Sequence, residues 1–215
     1  MDGSVVTVET VYDEVYSRLR TGITSGVIAP GGKMSIRSIA DRLGVSTMPV
    51  REALKRLESD GLVVFHRRSV TVAALSAKEV EQIFDIRWRL EGLASEWAIS
   101  KVTDRDIAEL DAILSSMERA DIEPLQWRLR NQQFHLRFYE CAGSAHLLEL
   151  IHKVWDKVEP YMAIYATNVE SFDQARREHR ELLALIAERD PPRLLDATER
   201  HLADTRTVVL AALSA

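Results

Sequence analysis

The stretch SIRSIADRLGVSTMPVREALKRLESDG, residues 35–61, has the pattern of two short helices joined by a tight turn. Apolar residues recur at helical spacing up to Leu43, and Gly44 follows where a left-handed residue commonly ends a helix. Ser46 can then cap a second helix, whose apolar stripe is Val50, Ala53, Leu54 and Leu57. Its basic residues lie largely off that stripe. The pattern favours a helix-turn-helix that enters the DNA major groove; a helical hairpin within an all-α core is the alternative.

The flanking segments extend this stretch into a small domain. Residues 10–26 carry apolar residues at steps of four, which predicts a preceding helix. Residues 62–65 and 70–72 are β-prone and enclose the basic sequence HRRS, which predicts a short hairpin. Beside the second helix of the motif, which begins after Ser46 and is here called the reader helix, such a hairpin can place Arg67 and Arg68 on phosphates or in the minor groove. A solvated turn is the alternative interpretation.

The charge is unevenly distributed along the chain. The net charge is −5, but residues 1–75 hold ten basic and eight acidic side chains, and residues 33–70 hold eight and four. Because phosphate contacts are local, this basic segment is compatible with DNA binding, whereas the acidic remainder needs another role. The chain has one cysteine and no apolar run long enough to cross a bilayer. We therefore expect a cytoplasmic protein with no membrane partner.

After residue 75 the pattern is helical almost throughout, and a mainly α fold is expected. Six amphipathic helices are predicted, over residues 77–100, 103–121, 124–142, 145–166, 171–188 and 191–213. Short loops between them favour an antiparallel bundle, which can hold ligands between facing helices. The first helix is expected to bury the stripe Ile83, Ile86, Leu90, Leu93 and Trp97. The predicted organisation is a winged helix-turn-helix domain over residues 1–75 and a helical bundle over residues 76–215.

Three histidines in the bundle lie on predicted inner faces. His135 follows Asn131 by four residues, so both project from one side of the third helix. His179 and His201 lie on the apolar stripes of the fifth and sixth helices. These residues could converge on a divalent cation with open coordination positions. Histidines that only hydrogen-bond within the core are the alternative.

The N-terminal motifs resemble a known family. A helix, the pattern I-x-x-G-x-I-x-P-G and the run IADRLGVSTMPVREALKRLESDGLV are similar to the winged helix of GntR-family transcription regulators, over about residues 10–73. The resemblance implies DNA contact by Arg37, Arg51 and the residue at position 47. That residue is Thr47 here, where the family usually has arginine. The complete predicted DNA-contacting set is Arg37, Ser46, Thr47, Pro49, Arg51, Arg67 and Arg68.

The C-terminal motifs resemble the FCD effector domain of FadR-like GntR regulators. The matching residues are Arg87-x-x-Leu90-Glu91, Phe134-His135 before Cys141-Ala-Gly143, His179 and His201. The resemblance implies a metal site formed by Asn131, His135, His179 and His201, with zinc expected and nickel or manganese as alternatives. Aspartate is the commoner first ligand, so Asn131 removes one negative charge.

These features predict a ligand-responsive regulator, by default a repressor. It would bind a palindromic double-stranded DNA operator as a homodimer, because one reader helix buries too little surface for tight specific binding. A small carboxylic acid is the expected effector, with Arg87 and Glu91 in its site; a purely structural Arg87–Glu91 pair is the alternative. The rival function is a metal-dependent hydrolase or lyase that uses the three histidines.

Overall fold

A computed structural model describes residues 10–67, 69–119, 121–168 and 172–213. The chain divides into two compact units, Met1–Ala74 and Leu75–Ala215. The first is a winged helix and the second is helical, which confirms the mainly α fold class. Within the described ranges, no helix is long and apolar enough to cross a membrane.

In its described residues, the first unit combines three helices with a small sheet. Its elements are α1 (Val11–Thr24), β1 (Lys33–Met34), α2 (Ile36–Leu43), α3 (Thr47–Ser59), β2 (Val63–Phe65) and β3 (Val70–Val72). The strands are antiparallel in the order β1-β3-β2. The predicted hairpin is therefore present, but β1 was not predicted. With two residues, β1 has no alternation that a sequence could display, and its pairing partner lies far along the chain.

The helix-turn-helix forms for the local reasons that its sequence indicates. The Ser35 hydroxyl accepts a hydrogen bond from the backbone N–H of Ser38, and Gly44 ends α2 in the left-handed conformation at φ +66°. Ser46 is the N-cap residue of α3, although its side chain makes no capping hydrogen bond. The predicted stripe of α3, from Val50 to Leu57, is buried in the core of this unit.

The second unit contains α4 (Ala77–Ile99), α5 (Asp104–Met117), α6 (Pro124–Glu140), α7 (Ala145–Asn168), α8 (Asp173–Glu188) and α9 (Pro191–Leu213). Capping boxes start α4 at Ser76 and α5 at Thr103. Helix α7 continues through Pro160, where a disturbance was expected. The predicted start of the fifth helix at residue 171 lies outside the described residues, and α8 begins at Asp173.

The predicted inner stripe of α4 was largely wrong. Ile83 is buried and Leu90 is partly buried, but Ile86, Leu93 and Trp97 are 48%, 36% and 42% exposed. Helix α4 instead buries small and polar residues, namely Gly92, Ala94, Ser95, Ala98 and Glu91. Small side chains allow neighbouring helices to approach closely, so this part of α4 packs against them, whereas Ile86, Leu93 and Trp97 remain on the surface.

Candidate functional site

A cluster of three histidines lies between α6, α8 and α9. His135, His179 and His201 each offer one ring nitrogen, and these atoms all lie within 4.8 Å of one another. The Nε2 atoms of His135 and His179 are 3.0 Å apart. Two nitrogens bound to one first-row metal ion are typically about 3–3.5 Å apart. The three predicted histidine positions therefore converge, and together they could bind a metal.

Hydrogen bonds outside the cluster orient two of these rings. His179 Nδ1 donates to the carbonyl oxygen of Ala175 at 2.6 Å, and His201 Nδ1 donates to Glu178 Oε2 at 2.7 Å. In its neutral form, each of these rings carries its one proton on Nδ1, which leaves the Nε2 lone pair for the centre of the cluster. Metal-binding histidines are commonly held in this way by a carbonyl or carboxylate acceptor.

The fourth predicted residue, Asn131, lies one turn before His135 and lines the adjacent cavity. Its Oδ1 atom is buried, and no donor in the described part of the chain binds it. A buried amide oxygen without a partner is destabilising, whereas a cation would satisfy it. The donor set of Asn131 and three histidine nitrogens thus fits a divalent metal.

Burial keeps two histidines of the cluster uncharged, which is the form that binds a metal. Burial, followed by the neighbouring histidines, lowers the pKa of His135 well below its usual value. Burial and the nearby His201 lower the pKa of His179 to about 3. Burial would raise the pKa of Glu178, but the interactions with His201, Gln174 and His179 together outweigh it and the pKa is lowered. At neutral pH, His135 and His179 are therefore uncharged and Glu178 is a carboxylate.

A cavity of about 390 Å³ adjoins the cluster. The residues that line it include the metal candidates Asn131, His135 and His201, the amides Gln132 and Gln174, and the charged residues Arg87, Arg128, Glu159, Glu178 and Asp204. Its walls also carry the indole rings of Trp127 and Trp155. Such a mixture of apolar walls and a few oriented polar groups is typical of small-molecule sites.

Arg87 and Glu91 occupy different positions relative to this cavity. Arg87 lines it and donates from Nε to Glu91 Oε1 at 2.7 Å, and its Nη atoms have no acceptor within the described ranges. Glu91 is buried behind Arg87, where it also accepts hydrogen bonds from Trp155 Nε1 at 2.8 Å and the Tyr139 hydroxyl at 3.0 Å. The prediction that Glu91 contacts an effector is therefore corrected, because its acceptor positions are used to hold Arg87 and two other donors. Arg87 therefore both pairs with Glu91 and lines the cavity.

Sequence reasoning missed Arg128 and Trp127. Arg128 is buried, lines the cavity and pairs with Glu159 of α7. Trp127 stacks on Phe172 with ring centroids 4.3 Å apart. A signal was available for Arg128, since it precedes His135 by seven residues and so lies on the same side of α6.

The predicted DNA-contacting residues form an exposed set on the first unit. Arg37, Ser46, Thr47, Arg51 and Arg67 are exposed and Pro49 is half-buried, whereas Arg68 lies outside the described residues.

The other cations of the reader helix have partners. Lys55 pairs with Glu52 at 2.9 Å, and Arg56 stacks over the Tyr16 ring at 4.0 Å and approaches Asp13. Within the described ranges, Arg51 has no acidic partner, and it is therefore the cation of α3 most available to another molecule.

Comparison with known proteins shows to which protein family the chain belongs. The sequence matches the family described as bacterial regulatory proteins, gntR family, over residues 11–72, and the FCD domain over residues 82–204. The chain belongs to the GntR family of bacterial transcription regulators. The combination of the two matches places it in the FadR-like subgroup. This GntR regulator is a DNA-binding protein and not an enzyme, so the hydrolase or lyase alternative is not supported.

Relatives of this GntR regulator are similar over nearly their whole length. It is 28% identical over 198 residues to the HTH-type transcriptional repressor GlaR of Escherichia coli. The aligned region covers 87% of this chain and 90% of GlaR. It is 29% identical over 184 residues to the HTH-type transcriptional regulator McbR of the same organism, covering 82% of each.

Solved structures show the same fold. Escherichia coli McbR/YncC superposes with a TM-score of 0.80 at 24% identity, over 94% of this chain and 98% of that chain. A GntR regulator from Rhodococcus sp. RHA1 superposes with a TM-score of 0.79 at 20% identity, over 93% and 97%.

Proposed function

We propose that this GntR regulator is a repressor that binds a palindromic operator as a homodimer and responds to a small organic acid. The observation that carries the proposal is the histidine cluster, whose ring nitrogens converge beside a cavity that Arg87 also lines. The repressor assignment is supported by GlaR, which is named a transcriptional repressor. The effector-responsive part of the proposal rests on the chemistry of the cavity.

Asn131, His135, His179 and His201 would hold a divalent metal, with zinc first and nickel or manganese as alternatives. All four donors are uncharged, so the protein ligands do not offset the charge of the cation. When bound, the cation supplies a Lewis-acid position for a carboxylate oxygen. Imidazole nitrogens suit zinc and nickel, and an amide oxygen suits harder ions such as manganese.

Arg87 would bind the same effector through its free Nη atoms. A guanidinium group recognises a carboxylate by two parallel hydrogen bonds. Glu91 fixes the Nε side of Arg87, which turns the remaining donors toward the cavity and reduces the side-chain entropy lost on binding. Glu91 is thus a positioning residue in this proposal rather than an effector ligand.

The DNA-contacting surface would comprise Arg37, Ser46, Thr47, Pro49, Arg51, Arg67 and Arg68. The N-terminal half of α3 would face base edges, and the basic tip of the β2–β3 hairpin would reach the backbone. The lack of an acidic partner for Arg51 within the described residues supports this assignment. A cation that already has a carboxylate partner gains less from a phosphate.

The exposed stripe of α4 is the proposed homodimer contact. Ile86, Leu90, Leu93 and Trp97 are spaced by four, three and four residues, which is the spacing of a helix–helix seam. A two-fold axis would place the same stripe of a second copy against it. Leu90, in the middle of the stripe, is half-buried and packs against the core of its own protomer. The dimer contact would therefore be continuous with that core.

The effector would act by a population shift. It can change operator affinity only if it binds the DNA-binding and the released states with different affinities. A carboxylate that joins the metal to Arg87 would link α4, which carries both Arg87 and the dimer stripe, to α6, α8 and α9. The position of α4 relative to the other helices would then differ between the two states.

Operator selection from a random double-stranded DNA pool tests this function. The purified full-length protein would be loaded with zinc, and its affinity for the selected duplex measured with and without a panel of small carboxylic acids. We expect at least one acid to weaken DNA binding in the unaltered protein but not in Arg87→Met. Arg89→Met, which changes a residue on the same helix outside the cavity lining, is the matched control and should keep the response. A selected duplex that no acid affects would contradict the effector assignment, and an acid that acts equally on Arg87→Met would contradict the role of Arg87.

A further inference from the structure

Met48 is a large apolar side chain on the exposed face of the reader helix. It is the second residue of α3, follows Thr47 and is 74% exposed. The buried stripe of α3 comprises Val50, Ala53, Leu54 and Leu57. At 3.6 residues per turn, Met48 points almost directly away from the middle of that stripe. It therefore contributes nothing to the core of the first unit and lies where a groove would meet the helix.

The side chains around Met48 form a surface at the start of α3 that is partly apolar. Thr47 is exposed beside it, and Arg51 is exposed one turn later. Glu52, also one turn away, pairs with Lys55 at 2.9 Å, so their charges offset each other. The tip of α3 thus presents a thioether chain and a threonine methyl group, with a single cation at its side.

The major groove offers one apolar group on its base edges, the C5 methyl of thymine. Guanine is read by arginine through its O6 and N7 atoms, whereas thymine is distinguished by methyl contact with apolar side chains. An unbranched thioether side chain can adapt to such a methyl group, because it has several rotatable bonds and a polarisable sulfur.

We propose that Met48, assisted by Thr47, contacts the C5 methyl of a thymine in each operator half-site and so sets base preference at that position. The inference rests on the proposed binding of a palindromic operator. Arg51 would supply the hydrogen-bonding contact of the same helix tip, and Met48 the apolar one. The operator should therefore contain a thymine whose methyl group, rather than its hydrogen-bonding pattern, is required.

Deoxyuridine tests this directly, because it keeps the hydrogen-bonding groups of thymidine and lacks only the methyl. The operator selected from the random pool would be prepared with each thymine replaced in turn, and Kd measured for the full-length protein. Loss of one buried methyl contact should weaken binding about fourfold per half-site, or about fifteenfold for the symmetric pair. At the same position, Met48→Ala should reduce the uracil penalty clearly, leaving only the part that the Thr47 methyl group supplies.

Val27→Ala is the matched control. Val27 is also an exposed apolar residue of the first unit, at 84%, but it lies in the turn after α1. This variant should keep the uracil penalty. The salt dependence of binding should be unchanged in Met48→Ala, because no phosphate contact is lost, and its melting temperature should match that of the unaltered protein.

The outcomes separate this inference from the function on which it rests. A preferred duplex whose uracil forms all bind as tightly as the thymine form would overturn the role of Met48 alone. A uracil penalty that is undiminished in Met48→Ala would also overturn it. A pool that yields no preferred duplex would overturn the proposed operator binding, and this inference with it.

Discussion

The Nε2 atoms of His135 and His179 lie 3.0 Å apart, while His179 Nδ1 donates to the carbonyl oxygen of Ala175. The backbone hydrogen bond places the only proton of a neutral His179 ring on the side away from His135. The Nε2 lone pair of His179 therefore faces His135 Nε2, which donates to it in the metal-free protein and can bind a shared cation when the His135 proton lies on Nδ1. This geometry suits a hydrogen-bonded histidine pair without metal and a shared cation with metal, so metal loading separates the two interpretations.

Removal of His179 should abolish metal loading. The purified protein would be incubated with zinc and dialysed, and its metal content measured by mass spectrometry. We expect little retained zinc in His179→Ala or His201→Ala, because two remaining histidines and a neutral amide bind weakly. His146→Ala is the control, since His146 is an exposed residue outside the cluster, and it should load normally. Full loading of both cluster variants would refute the assigned ligands.

Asn131→Asp should tighten metal binding and weaken the response to acids. A carboxylate adds one negative charge beside the cation, and zinc affinity should rise on the order of tenfold as attraction exceeds desolvation. The same charge repels an anionic effector. Competition with a chromogenic chelator measures the metal affinity. Gln132→Glu adds equal charge at the next residue and serves as control; an equal gain there would show that Asn131 is not a ligand.

The metal-free protein should lose stability as the pH falls below about 6.5. Burial lowers the pKa of His135 and His179, so the unfolded chain binds protons that the folded chain does not. The free energy of unfolding should then fall by up to about 1.4 kcal/mol per pH unit for each histidine, until the folded pKa is reached. Urea unfolding at pH 7, 6 and 5 after chelator treatment measures this. The double variant His135→Gln, His179→Gln should show a shallower fall, and an identical fall would contradict the assignment.

Arg51→Ala should weaken operator binding more than Lys55→Ala. Arg51 has no acidic partner within the described residues, whereas Glu52 offsets the charge of Lys55. We expect a loss of about 1–3 kcal/mol for Arg51→Ala if it reads a base, and less than about 1 kcal/mol for Lys55→Ala. Titrations of the selected duplex at several salt concentrations give both the affinity and the salt slope. Equal losses would indicate that neither residue is at a specific contact.

Leu93→Asp should shift the protein from dimer to monomer. A charge in the middle of the α4 stripe would be buried without a partner in the proposed contact, which destabilises the dimer and weakens operator binding. Sedimentation velocity measures the oligomeric state, and thermal melting checks the fold. Leu125→Asp changes an exposed leucine of α6 and should leave the dimer intact. A Leu93→Asp protein that stays dimeric would exclude this stripe as the dimer contact.

The helix-turn-helix was predictable because its determinants are local. The cap at Ser35, the left-handed Gly44 and the apolar stripe from Val50 to Leu57 all act within one or two helical turns. The pairing of Asn131 with His135 on one side of α6 follows from helical periodicity in the same way. The convergence of His179 and His201 on that side was a hypothesis, because spacing within a helix does not state which helices meet.

The sequence by itself determined the order of the helices, the reader motif and the three histidine positions, since each depends on short-range periodicity. Only the tertiary structure decided that Glu91 lies behind Arg87, that Arg128 meets Glu159 in the cavity, and that Ala175 and Glu178 orient the rings. It also decided that α4 buries its small residues and leaves Leu93 and Trp97 at the surface. These outcomes depend on close packing between helices that are distant in the chain, and no local pattern specifies which face of an amphipathic helix its neighbours will cover.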